Sequence, residues 1–264
     1  MKAPIKYFGG KGLLFKRIIE QFSKDSNIDT YIEPFGGSYS VGLNVDYPVR
    51  IYNDLEQNVY SLYKVLSDPK LFFEFKERCD LFPYSEDFRK EFKEKLKGGD
   101  LDIIERAFCF FYVNRTSHNG IGGISINTVI RRNMSKSISD FLSCVDRLPE
   151  LHQKLSKVIV LNTDGVELIK KYDRKNVLFY LDPPYEHSTR TSARYKMDMN
   201  EEKHKELLDV LMNIEYAEFV LSGYDCELYS YLEKKGINKI NLKVNTVDGS
   251  RNPKTKIETL WKNF

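Results

Sequence analysis

The most constraining feature of this 264-residue chain is the stretch from Val177 to Tyr185, which reads Val-Leu-Phe-Tyr-Leu-Asp-Pro-Pro-Tyr. Its first five residues form an unbroken apolar run, a pattern typical of a strand buried on both faces. Proline lacks a backbone N–H and disfavours helix in the residue before it, so the strand must end at Asp182. A carboxylate, two prolines and a phenol ring therefore follow a central strand, at the edge where open α/β sheets bind ligands. The structural alternative is a Pro-Pro turn with a capping Asp and a packed Tyr.

Two earlier segments also place an acid at the end of a short strand. Residues 30–42 predict a strand that ends at Glu33, a Gly-Gly turn, and a helix that begins near Ser38. Residues 49–54 predict a second strand that ends at Asp54, where an acid in such sheets accepts hydrogen bonds from the ribose hydroxyls of a cofactor. Capping of a helix that begins at Leu55 is the alternative role of Asp54, and both roles are compatible. The G-x-G-x-x-G fingerprint is absent, which argues against a nicotinamide cofactor.

The N-terminal segment contains glycines around a lysine. Residues 7–12 read Tyr-Phe-Gly-Gly-Lys-Gly, and glycines allow the backbone to approach a ligand closely beside the Lys11 cation. A helix is expected to follow, through Phe22. The spacing is not that of a phosphate-binding P-loop, and a plain turn is the alternative interpretation.

Between Glu56 and Lys157 the alternation of strand and helix gives way to helical patterns, which we expect over residues 56–66, 71–80, 85–96 and 100–113. Turn dipeptides in residues 114–127 then predict a loop or a hairpin. From residue 115 to 136 there are four cations and no acid: Arg115, Arg131, Arg132 and Lys136. Such a surface can hold DNA phosphates while Asn, Thr, Ser and Arg side chains contact base edges. A solvated basic loop without a partner is the alternative, and we assign no role to His118.

The α/β alternation resumes after a helix expected from Ser137 to Arg147. A third strand over 158–162 leads to Asp164, which could accept a hydrogen bond from a cofactor's adenine amino group or cap the helix that ends at Lys171. A polar flap is expected over residues 186–199. The remaining predicted elements are a helix over 202–212, a strand over 218–222, a helix over 226–234, and an antiparallel hairpin of residues 239–244 with 256–261.

Composition adds few constraints. The chain has 41 basic and 38 acidic side chains, and the resulting net charge of +3 is too small to indicate a nucleic-acid partner by itself. The four cysteines show no C-x-x-C spacing, so we expect neither a zinc site nor a disulfide framework. We expect a cytoplasmic protein without membrane association, because no signal peptide or apolar run of transmembrane length is present.

Six short motifs occur in a characteristic order, and together they resemble the Dam-type (D12 class, alpha group) family of DNA N6-adenine methyltransferases. The resemblance covers nearly the full length of the chain, with Glu33 at a position where many members carry Asp. The motifs are Tyr7-Phe8-Gly9-Gly10-Lys11, Glu33-Pro34-Phe35-Gly36-Gly37, Asn53-Asp54, Asn114-Arg115 with Asn119-Gly120, Asp182-Pro183-Pro184-Tyr185 and Glu258-Thr259-Leu260-Trp261.

The resemblance implies an α/β fold with a doubly wound, mostly parallel sheet of the class I S-adenosylmethionine-dependent methyltransferase type. Residues 1–55 and 158–264 would form the cofactor-binding catalytic domain. Residues 56–157 would form an inserted, mainly helical domain that recognises the DNA target and carries the basic hairpin.

The resemblance also implies a function: site-specific methylation of adenine N6 in duplex DNA, on a base flipped out of the helix, in a bacterial or phage-infected cell. S-adenosylmethionine would be the methyl donor and S-adenosylhomocysteine the product, with no metal. An RNA adenine N6-methyltransferase and a catalytically silent DNA-binding protein on the same fold are the alternatives. We expect a monomer, with a dimer on DNA as the alternative.

The residues implied by the resemblance fall into three groups. Within the cofactor-binding group given below, Glu33 would reach the methionine ammonium and Lys11 would lie near the methionine carboxylate. The catalytic group is Asp182, Pro183, Pro184 and Tyr185. The cofactor-binding group is Tyr7, Lys11, Glu33, Phe35, Gly36, Asp54, Asp164 and Asp182. The DNA-binding group is Arg115, Asn119, Arg131 and Arg132.

Overall fold

The structure, a computed structural model, describes residues 1–7, 9–184, 199–233, 236–247 and 253–264. The strands are β1 Thr30–Glu33, β2 Val49–Asn53, β3 Ile130–Arg131, β4 Met134–Ser135, β5 Ile159–Leu161, β6 Val177–Leu181, β7 Glu218–Gly223, β8 Asn238–Val247 and β9 Pro253–Lys262. The α-helices are α1 Phe15–Ile19, α2 Gln57–Ser67, α3 Pro69–Leu81, α4 Glu86–Gly98, α5 Ile103–Thr116, α6 Lys136–Val145, α7 Leu148–Leu155, α8 Gly165–Lys171, α9 Glu201–Met212 and α10 Ser230–Glu233.

In the described part of the chain, seven strands form one sheet in the order β5-β2-β1-β6-β7-β9-β8. The strands from β5 to β7 are parallel, whereas β9 pairs antiparallel with both β7 and β8. This arrangement confirms the expected α/β fold with a mostly parallel sheet and the predicted hairpin at its edge. The chain winds outward from β1 in one direction and from β6 in the other, so the topological switch point lies between these two neighbouring strands.

Strand β6 lies at the centre of the sheet, and all five of its residues are buried, as its apolar sequence predicts. Alternate side chains of a strand face opposite sides of a sheet. Leu178 and Tyr180 belong to a buried cluster shared with α2 to α7, whereas Val177, Phe179 and Leu181 belong to a second cluster shared with α8 and α9. The sheet is therefore covered by helices on both faces.

The four helices predicted between residues 56 and 113 are present as α2 to α5. Their buried side chains, including Leu62, Phe75 and Phe108, join the same cluster as Tyr31 and Tyr180 of the sheet. These helices thus form the layer that covers one face of the sheet. Their assignment to a separate DNA-recognition domain stays a prediction.

The prediction of a helix that begins near Ser38 is wrong. Gly37 and Tyr39 have φ angles of 48° and 55°, in the left-handed region that a right-handed helix cannot include. The chain instead makes turns and then one short 3-10 helix, Gly42–Asn44.

The loop predicted to begin at Asn114 starts later, because Asn114 and Arg115 belong to the last turn of α5. The Asn114 side chain accepts from the backbone N–H of Lys6 and donates to its carbonyl, both at 2.8 Å, and these bonds fix the end of the helix against the N-terminal segment. A β-bridge between Ser117 and Ile124 closes the following loop. The antiparallel hairpin forms farther along, between β3 and β4.

Three further boundaries differ from the predictions. Helix α6 is capped by Ser135, whose Oγ accepts from the Ser137 backbone N–H, and not by Ser137 itself. The helix predicted over 226–234 is a 3-10 helix, Glu227–Tyr229, followed by the short α10. Helix α1 ends at Ile19 and does not reach Phe22.

No helix within the described ranges has both the length and the apolar composition needed to cross a membrane.

Asn53, the last residue of β2, joins the carboxyl ends of three strands. Its side-chain amide donates to the carbonyls of Pro34 (2.8 Å) and Thr163 (2.9 Å), while its Oδ1 accepts from the backbone N–H of Thr163 (2.9 Å). Asn53 is fully buried. Because buried backbone groups need partners, this one side chain holds together the loops that follow β1 and β5.

We expect Asn53→Ala to lower the free energy of unfolding by about 3 kcal/mol, because it leaves three backbone groups without their partner. Urea denaturation followed by circular dichroism measures this change. Asn27→Ala, which removes an exposed amide bonded to Asp25, is the matched control and should change stability by less than about 0.5 kcal/mol. Equal stability of the two variants would contradict the role assigned to Asn53.

Candidate active site

A cavity of about 570 Å³ opens at the carboxyl ends of β1, β2 and β6, at the topological switch point of the sheet. The structure brings together in its lining every residue that the sequence predicted to bind a cofactor: Tyr7, Lys11, Glu33, Phe35, Gly36, Asp54, Asp164 and Asp182. These residues come from five separate parts of the chain. Among the described residues, no group of three or more His, Cys, Asp and Glu side chains is arranged to hold a metal ion.

The turn after β1 rests on buried tyrosines. A Cβ atom at Gly36 would lie 2.2 Å from the ring of Tyr52, so only glycine fits there. The Tyr52 hydroxyl donates to the carbonyl of Gly37 (3.0 Å), and the Tyr63 hydroxyl donates to the carbonyl of Ser38 (2.5 Å). The two rings stack with centroids 4.3 Å apart. Sequence reasoning missed both tyrosines, because their partners lie at least 15 residues away.

Asp54 is buried and connects the glycine turn to the start of α2. One carboxylate oxygen accepts from the N–H of Gly37 and the other from the N–H of Glu56, each at 2.8 Å. Burial raises the pKa of Asp54 to about 7, although these two bonds oppose the shift. The predicted capping of a helix at Leu55 is wrong, since α2 begins at Gln57 and Glu56 is its cap.

Glu33, the last residue of β1, is only 3% exposed, and its Oε1 accepts a hydrogen bond of 2.6 Å from the Tyr31 hydroxyl. Burial raises the pKa of Glu33 to about 8, against the opposing hydrogen bonds from Tyr31 and the Gly42 N–H. The side chain therefore favours its neutral form near pH 7. A ligand cation beside it would favour the ionised form instead.

Asp164 has the capping role that the sequence offered as one of two alternatives. Its Oδ1 accepts from the N–H groups of Val166 (2.8 Å) and Glu167 (3.3 Å) at the start of α8. Burial raises the pKa of Asp164, but these bonds and the Lys203 ammonium outweigh it, and the pKa is lowered overall. Beside it, a Cβ atom at Gly165 would lie 2.7 Å from the Phe35 ring. Asp164 and Phe35 thus border the same part of the cavity.

At the end of β6, the Lys11 ammonium contacts both oxygens of Asp182, at 2.7 and 2.8 Å. It also lies 3.4 Å from Oε1 of Glu258, and the Ser222 hydroxyl donates to that same oxygen at 2.6 Å. Lys11 is 4% exposed. Burial lowers the pKa of Lys11, but the two carboxylates outweigh burial and raise it above its ordinary value. The predicted contact of Lys11 with a methionine carboxylate stays a prediction.

Glu258 and Ser222 are functional candidates that sequence reasoning did not assign. Glu258 opens the Glu-Thr-Leu-Trp motif, so the motif itself was the available signal. Ser222 lies in the predicted strand β7 and had no distinguishing pattern. Of the predicted catalytic residues, Pro184 lines the cavity and Pro183 is buried beside Asp182, whereas Tyr185 and residues 186–198 of the predicted flap lie outside the described residues.

None of the residues predicted to bind DNA lines this cavity. Instead Asp140 of α6 meets three of the four cations: it pairs with Arg131 (2.6 Å) and Lys136 through its carboxylate, and its carbonyl accepts from Arg115 (3.3 Å). Arg132 donates to the Ser143 hydroxyl at 3.2 Å. Asn119 lies in the 3-10 helix His118–Gly120 with a φ of 51°. In the same stretch of sequence, the side chains of Ile126 and Ile130 are each 78% exposed.

Curated proteins similar to this chain are methyltransferases or methylases by name. This chain is 28% identical to the type II methyltransferase M.MjaIII of Methanocaldococcus jannaschii over 213 residues. The aligned region covers 73% of this chain and 72% of that protein. The chain is 27% identical to the modification methylase StsI of Streptococcus sanguinis, over 70% of this chain and 29% of that protein. It is 30% identical to the DNA adenine methylase of Escherichia coli (strain K12), over 46% and 42% of the two chains.

This chain therefore spans most of the first of these relatives but less than half of the other two. A family model described as D12 class N6 adenine-specific DNA methyltransferase matches residues 7–246, nearly the whole chain. The matched region includes every residue that lines the cavity except Lys6, and it ends before the Glu258 motif. The chain belongs to the D12 class N6 adenine-specific DNA methyltransferase family.

Proposed function

We propose that this chain is a site-specific DNA adenine N6-methyltransferase that transfers the methyl group of S-adenosylmethionine to an adenine flipped out of duplex DNA. One observation carries the proposal: Asp182, at the carboxyl end of β6, lines the same cavity as the buried acids Glu33 and Asp54. An acceptor for an amine and two acids suited to the cofactor thus share one space. Membership of the D12 class family supports the same activity.

The donor set fits S-adenosylmethionine. Glu33 is a buried carboxylate suited to the methionine ammonium, since the ionised acid and the cation stabilise each other. Each Asp54 oxygen accepts one backbone N–H and keeps lone pairs for the ribose hydroxyls. Asp164 and Phe35 border the part of the cavity suited to the adenine ring, and Tyr7 and Gly36 complete the lining.

When bound, S-adenosylmethionine would supply a methyl group on a sulfonium; the adenine nitrogen would gain the bond to this carbon, and the electron pair of the carbon–sulfur bond would remain on sulfur. The adenine amine is a poor nucleophile, because its lone pair is delocalised into the ring. Asp182 and the Pro183 carbonyl each accept one amino hydrogen and draw the nitrogen toward tetrahedral geometry. The surplus amino proton leaves through Asp182 to water.

Alignment supplies much of the rate enhancement. Holding two reactants in line can lower a barrier by about 7 to 11 kcal/mol in favourable cases. Asp182 can provide this alignment because it follows directly after a fully buried strand, whose position is set by β1 and β7 on either side. Tyr185 and Pro184 complete the proposed catalytic group, with Tyr185 as the face on which the flipped base stacks.

The DNA-binding part of the proposal rests on the surface around the β3–β4 hairpin. We assign Arg115, Asn119, Arg131 and Arg132 to it. Asn119, Arg131 and Arg132 are exposed, and so are the apolar side chains of Ile126 and Ile130. Cations hold phosphates and neutral polar groups contact bases. We assign residues 56–157 to target recognition and residues 1–55 with 158–264 to catalysis, and we expect a cytoplasmic monomer.

We expect Asp182→Asn to reduce methyl transfer by about 100-fold or more, because the neutral amide is a weaker acceptor for the amine. Transfer of a tritiated methyl group to duplex DNA and to structured RNA measures it, and the wild type should label adenine N6 in DNA only. Asp46→Asn, at an exposed position, is the matched control and should transfer at the wild-type rate. Labelling of RNA alone would instead favour the RNA methyltransferase alternative.

We expect S-adenosylhomocysteine to bind more tightly as the pH rises from about 6 to about 7.5, by up to tenfold per pH unit. Below its pKa of about 8, Glu33 holds a proton that must leave before the carboxylate can pair with the ligand ammonium. Isothermal titration in two buffers of different ionisation enthalpy counts the released protons. Glu33→Gln should bind weakly and release fewer protons, and an unchanged proton count would remove Glu33 from the cofactor site.

We expect Arg132→Ala to weaken DNA binding and to reduce the salt dependence of the binding constant by about one counterion, if the guanidinium contacts a phosphate. Fluorescence anisotropy across a range of salt concentrations measures both effects. Affinity for S-adenosylhomocysteine should be unchanged. Lys175→Ala, an exposed cation on the connection before β6, is the control for a general charge effect. Equal weakening by both variants would mean that the surface has no specific role.

A further inference from the structure

The acceptor proposed for the target amine is also the partner of an internal cation. The Lys11 ammonium lies 2.7 and 2.8 Å from the two oxygens of Asp182, so both oxygens accept from the same group. The target amine needs a lone pair on one of these oxygens, and each oxygen keeps one beside its contact with Lys11. The position of Lys11 therefore sets how the remaining lone pairs of Asp182 face the target amine, and a weaker contact with one oxygen makes that oxygen the better acceptor.

If the Lys11 ammonium moves away from Asp182, it needs another acid as partner. Lys11 is 4% exposed, and an unpaired buried charge is very unfavourable. A second carboxylate lies within reach: Oε1 of Glu258 is 3.4 Å from the Lys11 ammonium. A shift of the ammonium toward Glu258 would release one oxygen of Asp182 while the charge stays paired. In this arrangement the Lys11 ammonium lies within reach of two carboxylates, those of Asp182 and Glu258.

The sheet holds Glu258 in place for this role. Its strand β9 pairs with β7, and the fully buried Ser222 of β7 donates its hydroxyl to Oε1 of Glu258 at 2.6 Å. Strand β7 in turn pairs with β6, which carries Asp182 at its end. Glu258 is therefore fixed by strands next to the reacting group, whereas Lys11 lies on the N-terminal loop and has a long side chain.

We propose that Glu258 is a positioning residue that shares the Lys11 ammonium with Asp182, so that one Asp182 oxygen faces the target amine. Ser222 orients Glu258 for this purpose. The inference rests on the proposed function, since it assigns the way in which Asp182 becomes available. Glu258 is not among the residues that line the cavity, so it acts through Lys11.

The test is a double-mutant cycle in single-turnover methyl transfer to DNA at saturating S-adenosylmethionine. Glu258→Gln keeps the shape of the side chain but removes its charge, and it should slow transfer on the order of tenfold, with affinities for S-adenosylhomocysteine and DNA within about twofold of the wild type. In a Lys11→Met background the same substitution should change the rate by less than about twofold, because Glu258 acts through Lys11. Purely additive effects would overturn the inference.

Ser222→Ala is the second variant: it should give a smaller loss of rate in the same direction, also with unchanged affinities. If transfer in the Lys11→Met background is too slow to measure, the separation of rate from affinity in Glu258→Gln and Ser222→Ala decides the question. Loss of affinity in proportion to rate would show a structural role and overturn the inference. Glu233→Gln, which removes an acid from an exposed pair with Lys239 (2.7 Å), is the matched control and should keep the wild-type rate.

The two proposals fail in different ways. A wild-type protein that labels no DNA adenine would overturn the proposed function, and this inference with it. A Glu258→Gln variant that transfers methyl groups as fast as an active wild type would overturn this inference alone.

Discussion

The ion pair between Lys11 and Asp182 joins the first loop of the chain to its central strand, across 171 residues of sequence. Lys11 is only 4% exposed, so its charge would be costly without a partner, and Asp182, with 23% of its side chain exposed, compensates it. The pair can form only when the sheet has brought β6 next to β1 and the N-terminal segment lies across their ends. Both side chains also line the cavity, so the pair forms part of its wall.

The acids that line the cavity have the same chemistry but different environments. Burial raises the pKa of Glu33 to about 8 and that of Asp54 to about 7, whereas the α8 N–H groups and Lys203 lower the pKa of Asp164. The first two acids are buried, whereas the Asp164 side chain is 36% exposed. A ligand cation beside a buried acid such as Glu33 would favour the ionised form of that acid.

The basic surface shows how a pattern in the sequence can be modified by the fold. Residues 115–136 contain no acid, yet the Asp140 carboxylate of helix α6 pairs with Arg131 and Lys136. The backbone carbonyl of Asp140 also accepts a hydrogen bond from Arg115. The surface is therefore less positive than its sequence indicates. Of the arginines in this stretch, Arg132 lies outside the Asp140 cluster and donates to the neutral Ser143 hydroxyl.

The sequence by itself determined the features that depend on near neighbours: the buried strand that Pro183 ends, the acids at or just after the ends of β1, β2 and β5, and the helices between residues 56 and 116. Periodicity, proline and turn chemistry act over a few residues, so they can be read directly. The tertiary structure alone decided that Asn53 clamps three strand ends, that tyrosines support Gly36, and that Glu258 lies beside Lys11. It also decided that left-handed residues replace the predicted helix near Ser38. These features depend on contacts between segments distant in sequence, which exist only once the sheet has assembled.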